Sequence, residues 1–322
     1  MKLRKTPLRD TGVEITELSF GTSGLGDMPD TYGYSVNETR ARETIHEILD
    51  GPANVIDSSR NYGHGRAEER IGSVIRERGG LPDGFVISTK LDRDMDTGRF
   101  DADRARKSLE ESLEALSVDR VQLLHLHDPE HTRDLGEITR PGGAISELFR
   151  MKEEGLAKAV GLAMGRIDIM LPVLRDWPFD ALISHNRYTL LNRSADAMFD
   201  FAWNNGIAII NAAPFASGVL AKGTTESRLV TYRQASDEEL EPVRAIEAVC
   251  AVHGVPLAAA ALQFSMRDPR IASTLLGVTR PERVGKASRL AETPIPDAAW
   301  AALASLKYGT DDPERDRRYT PG

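Results

Sequence analysis

Apolar positions recur along this chain with two different spacings, and the two kinds of segment take turns. Short β-branched or leucine-rich runs stand at Leu18 to Thr22, Asn54 to Asp57, Phe85 to Lys90, Arg120 to His127, Ala157 to Ala163, Asp180 to Ser184, Gly206 to Asn211 and Ser273 to Gly277. Between them, apolar residues return every three or four positions near 39–49, 66–78, 102–116, 144–153, 168–174, 195–204, 237–253 and 281–290. Runs of the first kind read as strands and spacing of the second kind as helices. The clearest helix carries Ala102, Ala105, Leu109, Leu113 and Leu116 on one face, with Asp101 placed to cap it.

About eight strand–helix units on one chain predict an α/β fold, a closed (β/α)8 barrel, with an open parallel sheet as the alternative. No compositional break, repeat or linker divides residues 1–322, so a single barrel domain is expected. Residues 2–18, with the turn Asp10-Thr11-Gly12, read as a hairpin preceding the barrel. Ser23-Gly24-Leu25-Gly26 lacks the glycine spacing of a dinucleotide-binding loop and reads as a barrel-strand loop. Two stretches, 212–236 and 309–322, show no regular pattern. The first follows a strand's carboxyl end, where a substrate cover would sit; the second either covers the site or frays.

Composition narrows the setting. The 322 residues are 40% hydrophobic and 28% charged, ordinary for a globular protein, and the formal charge of −8 argues against nucleic acid or an anionic membrane as partner. Cys250 is the only cysteine, so no disulfide framework forms within the chain. The basic Met1-Lys2-Leu3-Arg4-Lys5 is not followed by an apolar core of a leader, and no apolar run reaches transmembrane length. A cytoplasmic enzyme acting on a small molecule is expected.

Candidate chemistry lies at strand ends. In Val55-Ile56-Asp57-Ser58-Ser59-Arg60-Asn61-Tyr62-Gly63, a strand ends in an acid and passes into a loop bearing a tyrosine; Lys90 and His127 end the next two strands. A barrel brings these four groups to one rim. Singly each has a bland reading: a turn cap, a packed aromatic, a solvated lysine, a core histidine. Together they form a proton-transfer set for a carbonyl/alcohol pair. Asp57 holds Lys90, the Lys90 ammonium lowers the Tyr62 phenol's pKa, and His127 hydrogen-bonds the reacting oxygen. The set lacks a hydride carrier, which a nicotinamide would supply. A rival reading takes His125, His127, Asp128 and His131 as metal ligands of a barrel hydrolase, but it leaves Tyr62 and Lys90 without a role, and no metal is expected. Another is a cofactor-binding sensor without turnover.

Val55-Ile56-Asp57-Ser58-Ser59 with Tyr62-Gly63, Ser88-Thr89-Lys90, and Asp119 followed by Leu123-Leu124-His125-Leu126-His127 resemble, in order and separation, the aldo-keto reductase family. The resemblance implies that family's barrel, NAD or NADP as cofactor, and Asp57, Tyr62, Lys90 and His127 as its catalytic tetrad. It implies cofactor contacts at Gly21, Thr22, His185, Phe215, Ser217, Gly277, Thr279 and Arg283. There are departures: Val160-Gly161-Leu162-Ala163-Met164 stands where many members have a Ser-Asn pair, His185 where glutamine is usual, and Ala212 where a tyrosine stacks. Gly277-Val278 replaces the Lys-Ser pair of NADP-selective members, so NAD is expected to be accepted. Asp128-Pro129 follows His127 where many members have tryptophan, suggesting hydroxyl-bearing substrates. Gly21 to Gly26, His127-Asp128-Pro129 and Asn211 to Leu220 are similar to a bacterial branch holding D-threo-aldose (L-fucose or galactose) dehydrogenases and a pyridoxal 4-dehydrogenase. The expected activity is therefore oxidation of an aldose at C1, with pyridoxal oxidation or general carbonyl reduction as alternatives.

Overall fold

A computed structural model describes residues 2–163 and 165–315. A hairpin of β1 (Lys5–Pro7) and β2 (Glu14–Thr16) precedes β3 (Leu18–Gly21), α1 (Pro29–Tyr32), α2 (Glu38–Asp50), β4 (Val55–Asp57), α3 (Arg66–Arg78), β5 (Val86–Leu91), α4 (Ala102–Leu116) and β6 (Val121–His127). Then come α5 (Gly136–Thr139), α6 (Ala144–Glu153), β7 (Ala157–Ala163), α7 (Ile167–Asp176), β8 (Ala181–His185), α8 (Asp196–Asn204) and β9 (Ala208–Ala212). The last part holds α9 (Val219–Lys222), a hairpin of β10 (Leu229–Val230) and β11 (Arg233–Gln234), α10 (Glu241–Val252), α11 (Leu257–Met266), β12 (Ile271–Gly277), α12 (Pro281–Glu292) and α13 (Asp297–Ala304).

β12 pairs in parallel with both β9 and β3, so the eight strands from β3 to β9 plus β12 close into a (β/α)8 barrel and the open-sheet alternative falls. Side chains alternate between two apolar layers, as strand geometry requires. On β5, Ile87 and Leu91 join the outer layer against the helices and Val86 the inner one, which puts Ser88 and Lys90 on the inner face above Val86. The β1–β2 hairpin adds buried Leu8, Val13 and Ile15 to the inner layer, together with Val55 and Val86 from the starts of strands. One end of the barrel is thus plugged by apolar residues, and the carboxyl ends of the strands are left for polar ones.

Helix starts follow the expected capping chemistry. Asp101 accepts the Arg104 N–H at 3.0 Å to open α4, and Asn37 accepts that of Arg40 at 2.9 Å to open α2. Beyond the one-turn helices α1 and α5, the sequence pattern does not reveal α11 and α13. In α11, Leu257-Ala258-Ala259-Ala260-Ala261-Leu262 is apolar on every side and almost wholly buried, so it shows no polar face and no helical period. β12 starts two residues before the expected Ser273, because a register shift between Ile271 and Ser273 in its pairing with β9 interrupts the alternation. Segment 212–236 is not irregular throughout: it contains α9 and the β10–β11 hairpin, turned by Thr231 and Tyr232 at φ 45° and 66°. Among the described residues no single helix is long and apolar enough to cross a membrane; α10 and α11 reach that composition only jointly, and they are bent by 102°.

Candidate active site

Close backbone packing sets Tyr62 in place. Gly63 has φ 60°, and a Cβ there would sit 1.9 Å from the Gly26 carbonyl oxygen; a Cβ on Gly26 would sit 2.8 Å from the Tyr62 carbonyl carbon. Ser23 to Gly26 forms a 3-10 turn, and its glycine serves this approach to the tyrosine's backbone. Lys90 then points inward from β5. Its Nζ lies 2.6 Å from Asp57 Oδ1 and 2.6 Å from the Ser58 carbonyl, and 4.8 Å from the Tyr62 ring centre. Ser88 Oγ donates to the other Asp57 oxygen at 2.7 Å. His127 meets Tyr62 edge to face, with ring centres 5.9 Å apart.

The electrostatics correct one expectation. Lys90 does not lower the phenol's pKa: burial pushes Tyr62 well above the ordinary tyrosine value, and the Asp57 carboxylate pushes it the same way. The physical reason is the 2.6 Å pair, since an ammonium neutralised by Asp57 has little field left for the phenol. Tyr62 therefore rests as a protonated phenol. His127 behaves oppositely. Burial opposes its charge, but the carboxylates of Asp128 and Asp92 outweigh burial and raise it above the ordinary histidine value.

Asp92 and Ser59 escaped the sequence analysis. Asp92 Oδ1 is 2.6 Å from His127 Nδ1, and its Oδ2 accepts Ser59 Oγ–H at 2.6 Å and the Asn61 N–H at 3.0 Å. A signal existed: Asp92 continues the two-residue spacing of Val86, Ser88 and Lys90. The metal-ligand reading gains no support. His125 is fully buried, with Gly161 so close that a Cβ would lie 2.3 Å from its ring, and burial holds it well below the ordinary histidine value. Among the described residues no group of three or more His, Cys, Asp or Glu could hold a metal ion.

The opposite side of the mouth is built by the chain's end. Gly309 N–H donates to the Leu191 carbonyl at 2.8 Å and the Gly309 carbonyl accepts Arg193 N–H at 2.9 Å, so residues 309–315 return across the barrel instead of fraying; 316–322 lie outside the described residues. Glu314 Oε1 accepts Asn186 Nδ2 at 2.8 Å and Arg187 Nη1 at 3.3 Å and stands 3.2 Å from His185 Nε2. Asp312 pairs with Arg187 Nη2 at 2.7 Å. Despite burial, which alone would raise it, Glu314 is held well below the ordinary glutamate value, by the His185 charge and hydrogen bond and then by Arg187 and Asn186.

One cavity of about 700 Å³ unites these parts, a size suited to a small-molecule site. Gly21, Asp57, Tyr62, Lys90, His127, Asp128, His185, Phe215, Ser217, Gly277, Thr279 and Arg283 all line it. Thr22 is the exception: it is fully buried, and its hydroxyl and N–H both donate to the Asp57 carbonyl at 2.9 Å, which anchors β3 to β4 instead of facing a ligand. Met164 lies outside the described residues. The wall also fits a dinucleotide. Ala213, Ala216, Ser217 and Gly218 have φ of 55°, 46°, 63° and 100°, a curled backbone closed on itself by N–H donation from Ala216 to the Ala213 carbonyl and from Gly218 to that of Phe215. Lys222, Arg280, Arg283 and Lys286 add positive charge around the same cavity.

Comparison with known proteins identifies the family. Residues 17–307 match the Aldo/keto reductase family. The chain is 29% identical to a D-threo-aldose 1-dehydrogenase of Pseudomonas sp, over 92% of this chain and 95% of that protein. It is 28% identical to a pyridoxal 4-dehydrogenase of Microbacterium luteolum, over 94% and 96%. An aldo-keto reductase of Bacillus halodurans, solved in its holo form, shares the fold at a TM-score of 0.76 and 18% identity, covering 98% of this chain and all (100%) of its own. With the family match spanning the whole barrel, including Asp57, Tyr62, Lys90 and His127, the chain belongs to the aldo/keto reductase family and is an NAD(P)-dependent oxidoreductase.

Proposed function

We propose that the chain oxidises the C1 hydroxyl of an aldose to a lactone, with Asp57, Tyr62, Lys90 and His127 as the catalytic set. The observation that carries the substrate is Asp128. Its carboxylate lines the cavity beside the tetrad, 15% exposed and 3.6 Å from His127 Nε2. Sugar hydroxyls donate to such a group, whereas an apolar carbonyl compound would desolvate it without offering a donor. Glu130 lines the same wall, and similarity to an aldose dehydrogenase supports the reading.

Nicotinamide, when bound, accepts the hydride that leaves C1. The chain's own residues handle the rest. Tyr62, as phenolate, takes the hydroxyl proton while the carbon–oxygen double bond of the lactone forms. His127 hydrogen-bonds that oxygen, and the Asp57–Lys90 pair keeps the phenol in position. Because Tyr62 rests protonated, the phenolate fraction grows about tenfold per pH unit. Oxidation should therefore speed up from neutral to alkaline pH, whereas the reverse reduction, which needs the phenol's proton, should not.

Phe215 and Ser217 on the curled segment stand to contact the pyrophosphate, Gly277, Thr279 and Arg283 the adenosine, and Gly21 and His185 the nicotinamide end. NAD is accepted because Gly277 and Val278 offer no lysine for a 2′-phosphate; Arg280, Arg283 and Lys286 leave room for NADP as well. An acidic chain with one unpaired cysteine suits a cytoplasmic setting.

The test is initial rates of NAD and NADP reduction with L-fucose, D-arabinose, other aldoses and pyridoxal, with Tyr62→Phe as control. Aldose turnover that falls at least about 10²-fold in the variant is expected. Turnover of pyridoxal alone would move the substrate to pyridoxal, and retained turnover in Tyr62→Phe would overturn the mechanism. A preference for NADP above about a hundredfold, some 2.7 kcal/mol, would overturn the cofactor reading.

A further inference from the structure

We propose that Asp92 is a positioning residue that holds His127 as a doubly protonated imidazolium, with its Nε2–H presented to the substrate oxygen. The inference rests on the proposed role of His127 at that oxygen and adds the group that controls the ring. The argument starts from hydrogen accounting at Nδ1. Two atoms face it: Asp92 Oδ1 at 2.6 Å and Ser59 Oγ at 3.2 Å. A carboxylate only accepts, and the Ser59 hydrogen is directed to Asp92 Oδ2 at 2.6 Å. Nδ1 must therefore carry a hydrogen. At the ring's other end Nε2 faces a second carboxylate, Asp128 Oδ2 at 3.6 Å, which favours a hydrogen there too. His127 is 6% exposed and Asp92 2%, so water screens the contact at Nδ1 little.

Every charged or titratable neighbour must enter this balance. Asp92 follows β5 and Asp128 follows β6, and both favour the cation. Lys90 from β5 opposes it, but that ammonium is paired with Asp57. His125, two residues earlier on β6, is neutral, and Tyr62 from the loop after β4 is a neutral phenol. The Asp92 carboxylate is itself fixed by Ser59 and Asn61, so the ring cannot turn without breaking a network of buried bonds. A fixed cation at Nε2 stabilises the negative charge that develops on the oxygen as hydride and proton move, an effect that a neutral ring supplies more weakly.

The test reads the ring without substrate. Nitrogen-15 spectra of histidine-labelled full-length protein are recorded from about pH 5 to about pH 10 for wild type and Asp92→Asn, with His127→Gln to assign the resonance. In wild type both ring nitrogens should be protonated at neutral pH. In Asp92→Asn the titration midpoint should fall by about one pH unit or more. In the same variant kcat for reduction of 4-nitrobenzaldehyde should drop about tenfold or more with KM little changed, and the rate should decline at lower pH than in wild type. A neutral His127 at pH 7 in wild type overturns the proposal, even if the variant does not fold. So does an unshifted midpoint in a folded variant. Failure of the aldose reading would leave the spectra untouched, so the two can fail separately.

Discussion

Two buried ion clusters flank the barrel mouth, and they differ in what supports them. On one side Lys90 and Asp57 sit on paired neighbouring strands, β5 and β4, with their side chains 2% and 4% exposed. On the other side Arg187, 1% exposed, is neutralised by Asp312 and Glu314 from the end of the chain, 127 residues beyond it in the case of Glu314. The local electrostatics are alike, but the mechanics are not. Strand residues cannot retreat to water if a partner is lost, whereas residues 309–315 lie outside the barrel strands and are held by hydrogen bonds near Leu191 and Asn192. The same kind of pair thus lies within the barrel strands beside the proposed catalytic set and on a segment outside the strands across the mouth.

Removing one partner from each cluster is the sharpest way to break this comparison. Lys90→Met strands Asp57 on its strand and should cost near the upper end of the roughly 3–5 kcal/mol typical of a broken buried pair, with turnover down at least about 10²-fold. Adding Asp57→Leu should recover most of the stability and none of the activity, as read by denaturant unfolding and initial rates. Equal stability losses for single and double variants would contradict the rigid-pair account. Arg187→Met should cost less, near the lower end of that range, because Glu314 and Asp312 can rehydrate; hydrogen exchange should then speed up across residues 309–315. A loss as large as that of Lys90→Met would show that the terminal segment is as immobile as the strands.

A smaller effect distinguishes two buried glutamates, one on each side. Glu68, on α3 behind Thr89, is pushed up to about 7 by burial, against the Thr89 hydrogen bond and the charge of Arg60. Its native pKa exceeds the unfolded value near 4.5, so the native state binds the extra proton, and stability is lost as pH rises from about 4.5 to about 7. Glu68→Gln should leave stability unchanged at about pH 4 and raise it by on the order of 2 kcal/mol at about pH 8. Glu314 has the opposite sign. Its depressed value gives stability that is complete above about pH 4.5 and is lost as pH falls below it, so Glu314→Gln should flatten the acid limb of the stability curve. Parallel pH slopes for the two variants would refute the assignment of either environment.

How far the chain could be read follows from the range of the interactions involved. The alternation of strand and helix patterns determined the barrel, because burial on both faces of a parallel strand and on one stripe of a helix is written in local spacing. Asp57, Lys90 and His127 were legible for the same reason: each ends a strand, and barrel closure brings strand ends together. Tyr62 could be placed in its loop, but the direction of its pKa could not, since burial and the neutralising 2.6 Å pair are properties of the assembled site. Thr22 looked like a cofactor contact until its hydroxyl was found on the Asp57 carbonyl. The α11 helix was hidden because a helix apolar on every side has no period to detect. Asp92 lay in register, yet nothing in its own neighbourhood named His127, 35 residues away, as its partner. By itself, then, the sequence determined the architecture and the placement of the proposed reacting groups at one rim, which depend on patterns a few residues long. Only the tertiary structure decided which of those groups carry protons and how the chain's end closes the mouth, because charge, burial and long-range contacts exist only once distant segments are packed together.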